Sequence, residues 1–322
     1  MGENIMELVN LTEKEFENYS KNHALKSFVQ TKEMGEIRSS KGWDVHYLGL
    51  KDNNKILGAS LIVSKKRFLN KKEFYAPRGF LIDYSNYELV TTFVNEVKKY
   101  IKKNNGFKLR IDPYIIYKQR DISGKIVENG INNEKVVELL KQLGFTKCKN
   151  DEQLKWLYAL DIDNKTEDEI LKNMSSNTRN IIRKTLKTNI KLRELDYDEL
   201  ELFEKITDET SSRRGFEGKD LKYYQQMKKL FKDNVLYVIA DINLKDYINT
   251  LNKELESVKT KLNKLTDVKA NEGKKKELNV TINSLDKKIK NAEELMKTDG
   301  ETLILSGAMF MVYGDEIVYL FC

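Results

Sequence analysis

The sequence is poor in the residues that staple, kink or catalyse: of 322 residues, two are cysteine, two proline and two histidine. Two thiols, Cys148 and Cys322, make neither a disulfide framework nor a zinc site. The start "MGENIMELVN" lacks the basic and apolar regions of a signal peptide, so a cytoplasmic protein is expected, able to work at the inner face of a membrane. His23 and His46 have no Ser or Cys nucleophile motif beside them, which argues against a hydrolase triad. The phosphate loop G-x-x-x-x-G-K-[ST] and the dinucleotide fingerprint G-x-G-x-x-G are both missing, and no metal-ligand spacing occurs. The longest apolar runs, Val235 to Ile242 and Leu303 to Tyr313, fall far short of the roughly 20 residues of a membrane helix, so any membrane contact is peripheral.

What is present is enough for two ordinary domains. Hydrophobic residues make up 40% of the chain and aromatics 10%, while 57 Lys+Arg against 50 Asp+Glu leave a net charge of +7. That excess suits a polyanionic partner without identifying it. From Phe28 to Asp112, strand-like runs ("VHYLGL", "ILGASLIVSK", "FKLRIDP") alternate with one helical run, "YELVTTFVNEVKKYIKKNN". The amphipathic "VVELLKQLGFTKC", with Gly144 past its C-terminus and a short strand after it, closes a first α/β domain over residues 1–150. A second α/β domain, 151–243 and 298–322, reads as the strand "KWLYALDI", helices at Glu167 to Thr188, Tyr197 to Arg213 and Leu221 to Phe231, then the strands "NVLYVIADI" and "TLILSGAMFMVY".

Residues 244–297 differ. Apolar residues at Leu244, Ile248, Leu251, Leu255, Val258, Leu262 and Leu265, and again at Leu278, Ile282, Leu285, Ile289, Ala292 and Met296, alternate steps of four and three. That is a heptad seam, and the polar "TDVKANEGKKKE" between the runs turns the chain back. An antiparallel coiled-coil arm inserted in the second domain is the expected result. From Lys245 to Lys297, 13 Lys against nine Asp+Glu carry more than half of the net charge, which suits either a solvated surface or a nucleic-acid contact.

Three stretches stand out for chemistry. "FYAPRGFLIDY" and "LRIDPY" hold Pro77 and Pro113, the only prolines, at strand edges. "KNMSSNTRNIIRKTLKTN" presents a basic face with Arg179, Arg183, Lys184 and Lys187, and "SSRRGFEGKDLKYYQQM" surrounds glycines with cations. Together with "SFVQTKEMGEIR" and "GAMFMVYGDEIVYLF", in this order, they resemble the FemABX family of peptidoglycan interpeptide-bridge aminoacyltransferases, and the inserted arm resembles that of the FemA-like subgroup.

The resemblance implies a fold of two tandem acetyltransferase-like (GNAT-like) α/β domains with the helical hairpin inserted in the second. It implies transfer of an amino acid from aminoacyl-tRNA to a stem-peptide or bridge amine of a peptidoglycan precursor, lipid-linked (lipid II) or UDP-linked. No cofactor is implied: an aminoacyl ester is already activated, and the [QR]-x-x-G-x-[GA] loop that cradles acetyl-CoA is missing. By the same resemblance Asp112 lies near the acceptor amine as its catalytic carboxylate. Arg38 and Lys219 stand where relatives grip the acceptor's phosphates, although with lysine and arginine exchanged. Tyr223, Tyr319 and Phe321 line the substrate pocket or pack in the core. Arg179, Arg183, Lys274, Lys275 and Lys276 are the weaker candidates, for tRNA binding, on basic faces that a solvated surface would equally carry. The family pattern continues beyond the strand "EIVYLF", so the resemblance reads as C-terminally truncated and leaves this chain's own activity open. The alternative of another class is an inactive homologue that acts through its arm, as a homodimer or with sister Fem transferases. Which amino acid is transferred, and to which bridge position, the sequence does not select.

Overall fold

The computed structural model describes residues 6–266 and 268–322. The chain divides into two compact units: Met1–Tyr158 with Leu230–Asn234 and Met311–Val318, and Ala159–Lys229 with Val235–Phe310 and Tyr319–Cys322.

The first part of the chain runs β1 (Met6–Asn10), α1 (Glu13–Asn22), α2 (Lys32–Ser40), β2 (Asp44–Asp52), β3 (Lys55–Phe68), β4 (Lys71–Ala76), β5 (Leu81–Ile82), α3 (Tyr87–Lys103), β6 (Gly106–Ile111) and α4 (Glu134–Gln142). Its sheet has the order β1-β2-β3-β4-β6, with β5 also on β3; the ladders are antiparallel except β4 with β6. Gly58 to Ser64 of β3 is buried at every position, the pattern of a strand covered on both faces. One face is closed by α3, whose Val90, Phe93, Val94, Val97 and Ile101 recur at helical spacing and pack with Leu48, Leu50, Phe74 and Phe80. On α1, Phe16 is buried against the ring of Tyr47 at 4.8 Å. The expected strand after Gly144 is not formed: residues 145–149 are irregular.

One polar chain crosses this sheet. His46 on β2 bonds Tyr100 Oη at 3.0 Å and Ser64 Oγ at 2.9 Å. Burial, helped by the Lys72 cation, lowers its pKa below the ordinary 6.5, against the pull of Asp44. A group whose pKa falls on folding lends stability above its unfolded value and loses it as pH drops through the folded one. Melting temperature is therefore expected to fall as pH goes below about 6.5, and His46→Gln should flatten the first part of that slope. An unchanged slope in the variant would remove His46 as its cause.

The rest of the chain runs α5 (Glu167–Asn173), α6 (Ser176–Leu186), β7 (Ile190–Glu194), α7 (Leu200–Arg214), α8 (Leu221–Phe231), β8 (Val235–Asn243), α9 (Leu244–Asn263), α10 (Glu272–Asp299), β9 (Thr302–Tyr313) and β10 (Glu316–Phe321). The second sheet has the order β10-β9-β8-β7. Phe203, Tyr224 and Tyr237 form its aromatic core, with ring centroids 5.0 to 5.9 Å apart and near edge-on. Tyr237 Oη donates to Tyr224 O at 3.0 Å, and Tyr224 Oη to Thr207 Oγ1 at 3.1 Å, so both buried hydroxyls are satisfied.

Three sequence expectations are corrected here. The helix expected from Glu167 to Thr188 is broken at Met174 and Ser175: Ser175 Oγ accepts from Thr178 N at 3.2 Å and caps a new helix. The helix expected from Tyr197 begins as a 3-10 turn and becomes α-helical at Leu200, ending on Gly215 at φ 71°, a left-handed cap that glycine adopts without strain. "KWLYALDI" is irregular, with Trp156, Leu157, Tyr158 and Leu160 all more than half exposed. Its composition favours a strand, but a strand exists only with a ladder partner, and no described residue supplies one.

Helices α9 and α10 pack through Ile248, Leu251, Leu255 and Val258 against Leu285, Ile289 and Ala292. The second starts at Glu272, so Gly273 lies in its first turn; of the polar stretch expected to turn the chain back, residue 267 lies outside the described residues. At the base, Leu244 N donates to Glu301 O at 2.8 Å and Asn243 Nδ2 to Glu301 Oε1 at 3.1 Å, so the pair leaves and returns at one point between β8 and β9.

Candidate functional site

In the first unit, three stretches that stand far apart in sequence meet around one carboxylate. Asp112 follows β6, half-buried; its Oδ1 accepts Arg78 N at 2.6 Å and its Oδ2 accepts Tyr75 Oη at 2.8 Å. Gln153 Nε2 donates to the same tyrosine oxygen at 3.2 Å. Arg78 sits at φ 52° in the turn after β4, its guanidinium 5.1 Å from the Tyr114 ring and donating to Leu154 O at 3.1 Å.

That turn is held from beneath by Gln30, which is fully buried. Its Nε2 donates to Pro77 O at 2.6 Å and Leu61 O at 3.0 Å, while its Oε1 accepts Leu61 N at 2.7 Å. "SFVQ", "APRG" and "RIDP" thus form one cradle. Arg38, half-buried near the end of α2, is close enough for its charge to act on the Tyr75 hydroxyl.

Burial raises the Asp112 pKa above the ordinary carboxylate value, with Glu152 adding to it, although the amide of Arg78, the Tyr75 hydroxyl and the Arg78 cation pull the other way. Burial and the Asp112 charge likewise raise Tyr75. A carboxylate of raised pKa with free lone pairs is a better proton acceptor than a surface aspartate.

In the second unit, Lys219 is exposed with its Nζ 5.9 Å from the Tyr223 ring centre, and Tyr223 lies edge-on to Phe321 at 6.2 Å. Phe321 also packs on the buried Tyr224 at 6.0 Å, which gives it a core contact as well. Tyr319 stands apart from this group, 54% exposed and against Phe310 at 5.3 Å. The sequence-predicted residues therefore gather as Asp112 and Arg38 in one unit, and as Lys219, Tyr223 and Phe321 in the other.

The basic residues fall in two places. Arg183 is exposed on α6. Arg179 is half-buried instead, and its Nη1 donates to Met174 O at 2.5 Å and Lys172 O at 3.0 Å. Through these bonds it serves the end of α5. Lys274, Lys275 and Lys276 lie near the start of α10. Sequence reasoning missed Gln30, Tyr75, Arg78 and Gln153. The first three lie inside quoted stretches, and a glutamine within the otherwise apolar "FVQ" was the available signal for one of them.

Two sheets with helices on their faces make this a mixed α/β protein, and the fold is that of FemX: its crystal structure matches with a TM-score of 0.68 at 23% identity, over 98% of this chain and 80% of that one. The FemAB family model matches residues 11–322, and the chain belongs to the FemAB family. It is similar to the aminoacyltransferase FemA of Staphylococcus aureus strains bovine RF122 / ET3-1, N315 and COL. Each is 32% identical over 328 residues, covering 98% of this chain and 78% of the relative.

Proposed function

We propose that this protein transfers an amino acid from aminoacyl-tRNA to a stem-peptide or bridge amine of a peptidoglycan precursor of the lipid II type. The observation that carries the reading is the half-buried Asp112, oriented through both oxygens and raised in pKa, at the meeting point of three family stretches. In the proposed reaction the acceptor amine attacks the aminoacyl ester, the C–N bond forms as the bond to the tRNA ribose oxygen breaks, and Asp112 takes the amine proton. The leaving ribose oxygen is protonated in turn, so no ATP or cofactor enters the balance. Arg38 and Lys219 are proposed to hold phosphates, each within its own unit. The tandem GNAT-like arrangement, without acetyl-CoA, and the coiled-coil nature of α9 and α10 belong to the same proposal, as does a place at the cytoplasmic side of the membrane.

The tRNA reading draws support from where the arm puts its charge. Lys274, in the first turn of α10, sits at the positive end of its dipole, where a cation is disfavoured, and Lys276 follows it, both exposed. They suit a polyanion. The apolar seam of α9 closes on α10, so those residues are already used within one chain, and association of copies through them is the less favoured reading. Charged tRNA and lipid II given to the protein should yield a product heavier by one aminoacyl residue. Gln at positions 274, 275 and 276 should weaken tRNA retention on a filter. A precursor of unchanged mass would refute the transfer.

A further inference from the structure

The sharpest anomaly lies at the other end of the first sheet from Asp112. The β3–β4 turn reads "KKRFLNKK", residues 65–72, with five cations and no acid. Phe68 pairs with Lys71, and the two residues between them, Leu69 and Asn70, have φ of 41° and 61°. Two left-handed residues make a tight hairpin of the kind that favours Asn-Gly, not leucine. Leu69 is also 90% exposed. An aliphatic side chain held in a disfavoured backbone region and pointed into water helps neither folding nor solubility.

The surroundings give the tip a partner. Phe68 is 57% exposed and packs on Phe107, itself 46% exposed, with ring centres 5.1 Å apart. Glu73 takes Arg67 at 2.9 Å, and Asp44 takes Lys72 at 2.8 Å. Among the described residues no carboxylate pairs with Lys65, Lys66 or Lys71. Lys102 and Lys103, exposed at the end of α3, add charge at the same sheet end, where Lys72 N donates to Asn105 O at 2.9 Å.

We propose that this hairpin docks on an anionic phospholipid bilayer, Phe68 and Leu69 entering the interface while Lys66, Lys71 and their neighbours meet headgroup phosphates. An apolar apex ringed by cations is the arrangement of interfacial anchors, and two signals together bind where one does not. A nucleic acid is the less suited polyanion, because leucine offers no face on which a base stacks. Among the described residues no helix is long and apolar enough to cross a membrane, so the contact is peripheral. Strand β4 separates the tip from Asp112 by roughly 17 Å, which leaves the cradle clear of the bilayer. The inference does not depend on the transferase reading: lipid binding is measured without any substrate, and its failure leaves that reading standing.

The test is flotation of the full chain with vesicles of phosphatidylcholine alone or with 30% (about one lipid in three) phosphatidylglycerol. Binding is expected to the anionic vesicles and to be weakened by salt. Each of Lys66→Gln and Lys71→Gln should lower partitioning roughly fivefold, and Phe68→Ser with Leu69→Ser should abolish it with melting temperature unchanged. Leu69→Trp supplies a gain of signal: its fluorescence should shift to the blue on anionic vesicles only. Equal binding to both vesicle types, an unshifted tryptophan, or tip variants that lose only RNA retention would each overturn the proposal.

Discussion

Asp112→Asn is expected to lower aminoacyl transfer by about 10²–10³-fold, the scale of a lost general base, while leaving the fold intact. The amide keeps an oxygen for Arg78 N, and the Tyr75 hydroxyl rotates to accept from the new NH₂. Nor does neutralisation cost stability at neutral pH. A carboxyl whose pKa rises on folding contributes stability below its ordinary pKa of about 3.9 and loses it as pH climbs through the folded value, so the ionised form is the unfavourable one in place. The same raised pKa places the acid limb of the wild-type rate profile above the ordinary carboxylate range, and the variant should lose that limb. Transfer within fivefold of wild type, with the limb unchanged, would remove Asp112 from the reaction.

Gln30→Leu should be the most damaging conservative change in the first unit. Leucine fills the same space but leaves Leu61 N and Pro77 O buried without partners, at about 1–3 kcal/mol each. A total of about 3–5 kcal/mol corresponds to roughly 10 °C in melting temperature for a unit of this size. The Pro77 to Phe80 turn also loses its support; the Cβ of an alanine at Gly79 would lie 2.6 Å from Ser60 Oγ and 3.0 Å from Gln30 Nε2, a measure of how closely the turn sits on them. Transfer should therefore fall even at temperatures where the variant stays folded. Calorimetry decides the first part, and a melting temperature within 2 °C (about 0.5 kcal/mol) of wild type would show that Gln30 is not the support described.

The division between what could and could not be read beforehand follows the range of each interaction. Helices α3, α8 and α9, and strands β8, β9 and β10, match their apolar periodicity closely, because each is specified by neighbours within a few residues. The break at Ser175 is not legible in the periodicity, because one hydroxyl at the right spacing ends a helix that the apolar repeat would continue. "KWLYALDI" reads as a strand and is not one, because strand-forming composition says nothing of whether a partner strand is at hand. Asp112 was singled out through a resemblance carried by its motif. Its ligands were not, since Tyr75 and Arg78 lie more than thirty residues away and Gln153 reaches it only through Tyr75.

By itself the sequence determined the mixed α/β class, the family, the helical pair inserted between β8 and β9 and its surplus of lysine. All of these are written in residue order and local period. Only the tertiary structure decided that a buried glutamine would hold the turn beside Asp112, that Arg179 would bond the carbonyls at the end of α5, and that a leucine would stand exposed at a basic hairpin tip. Those outcomes depend on which distant groups share a burial site, and burial, which sets both pKa and the cost of an unmet hydrogen bond, is a property of the folded whole.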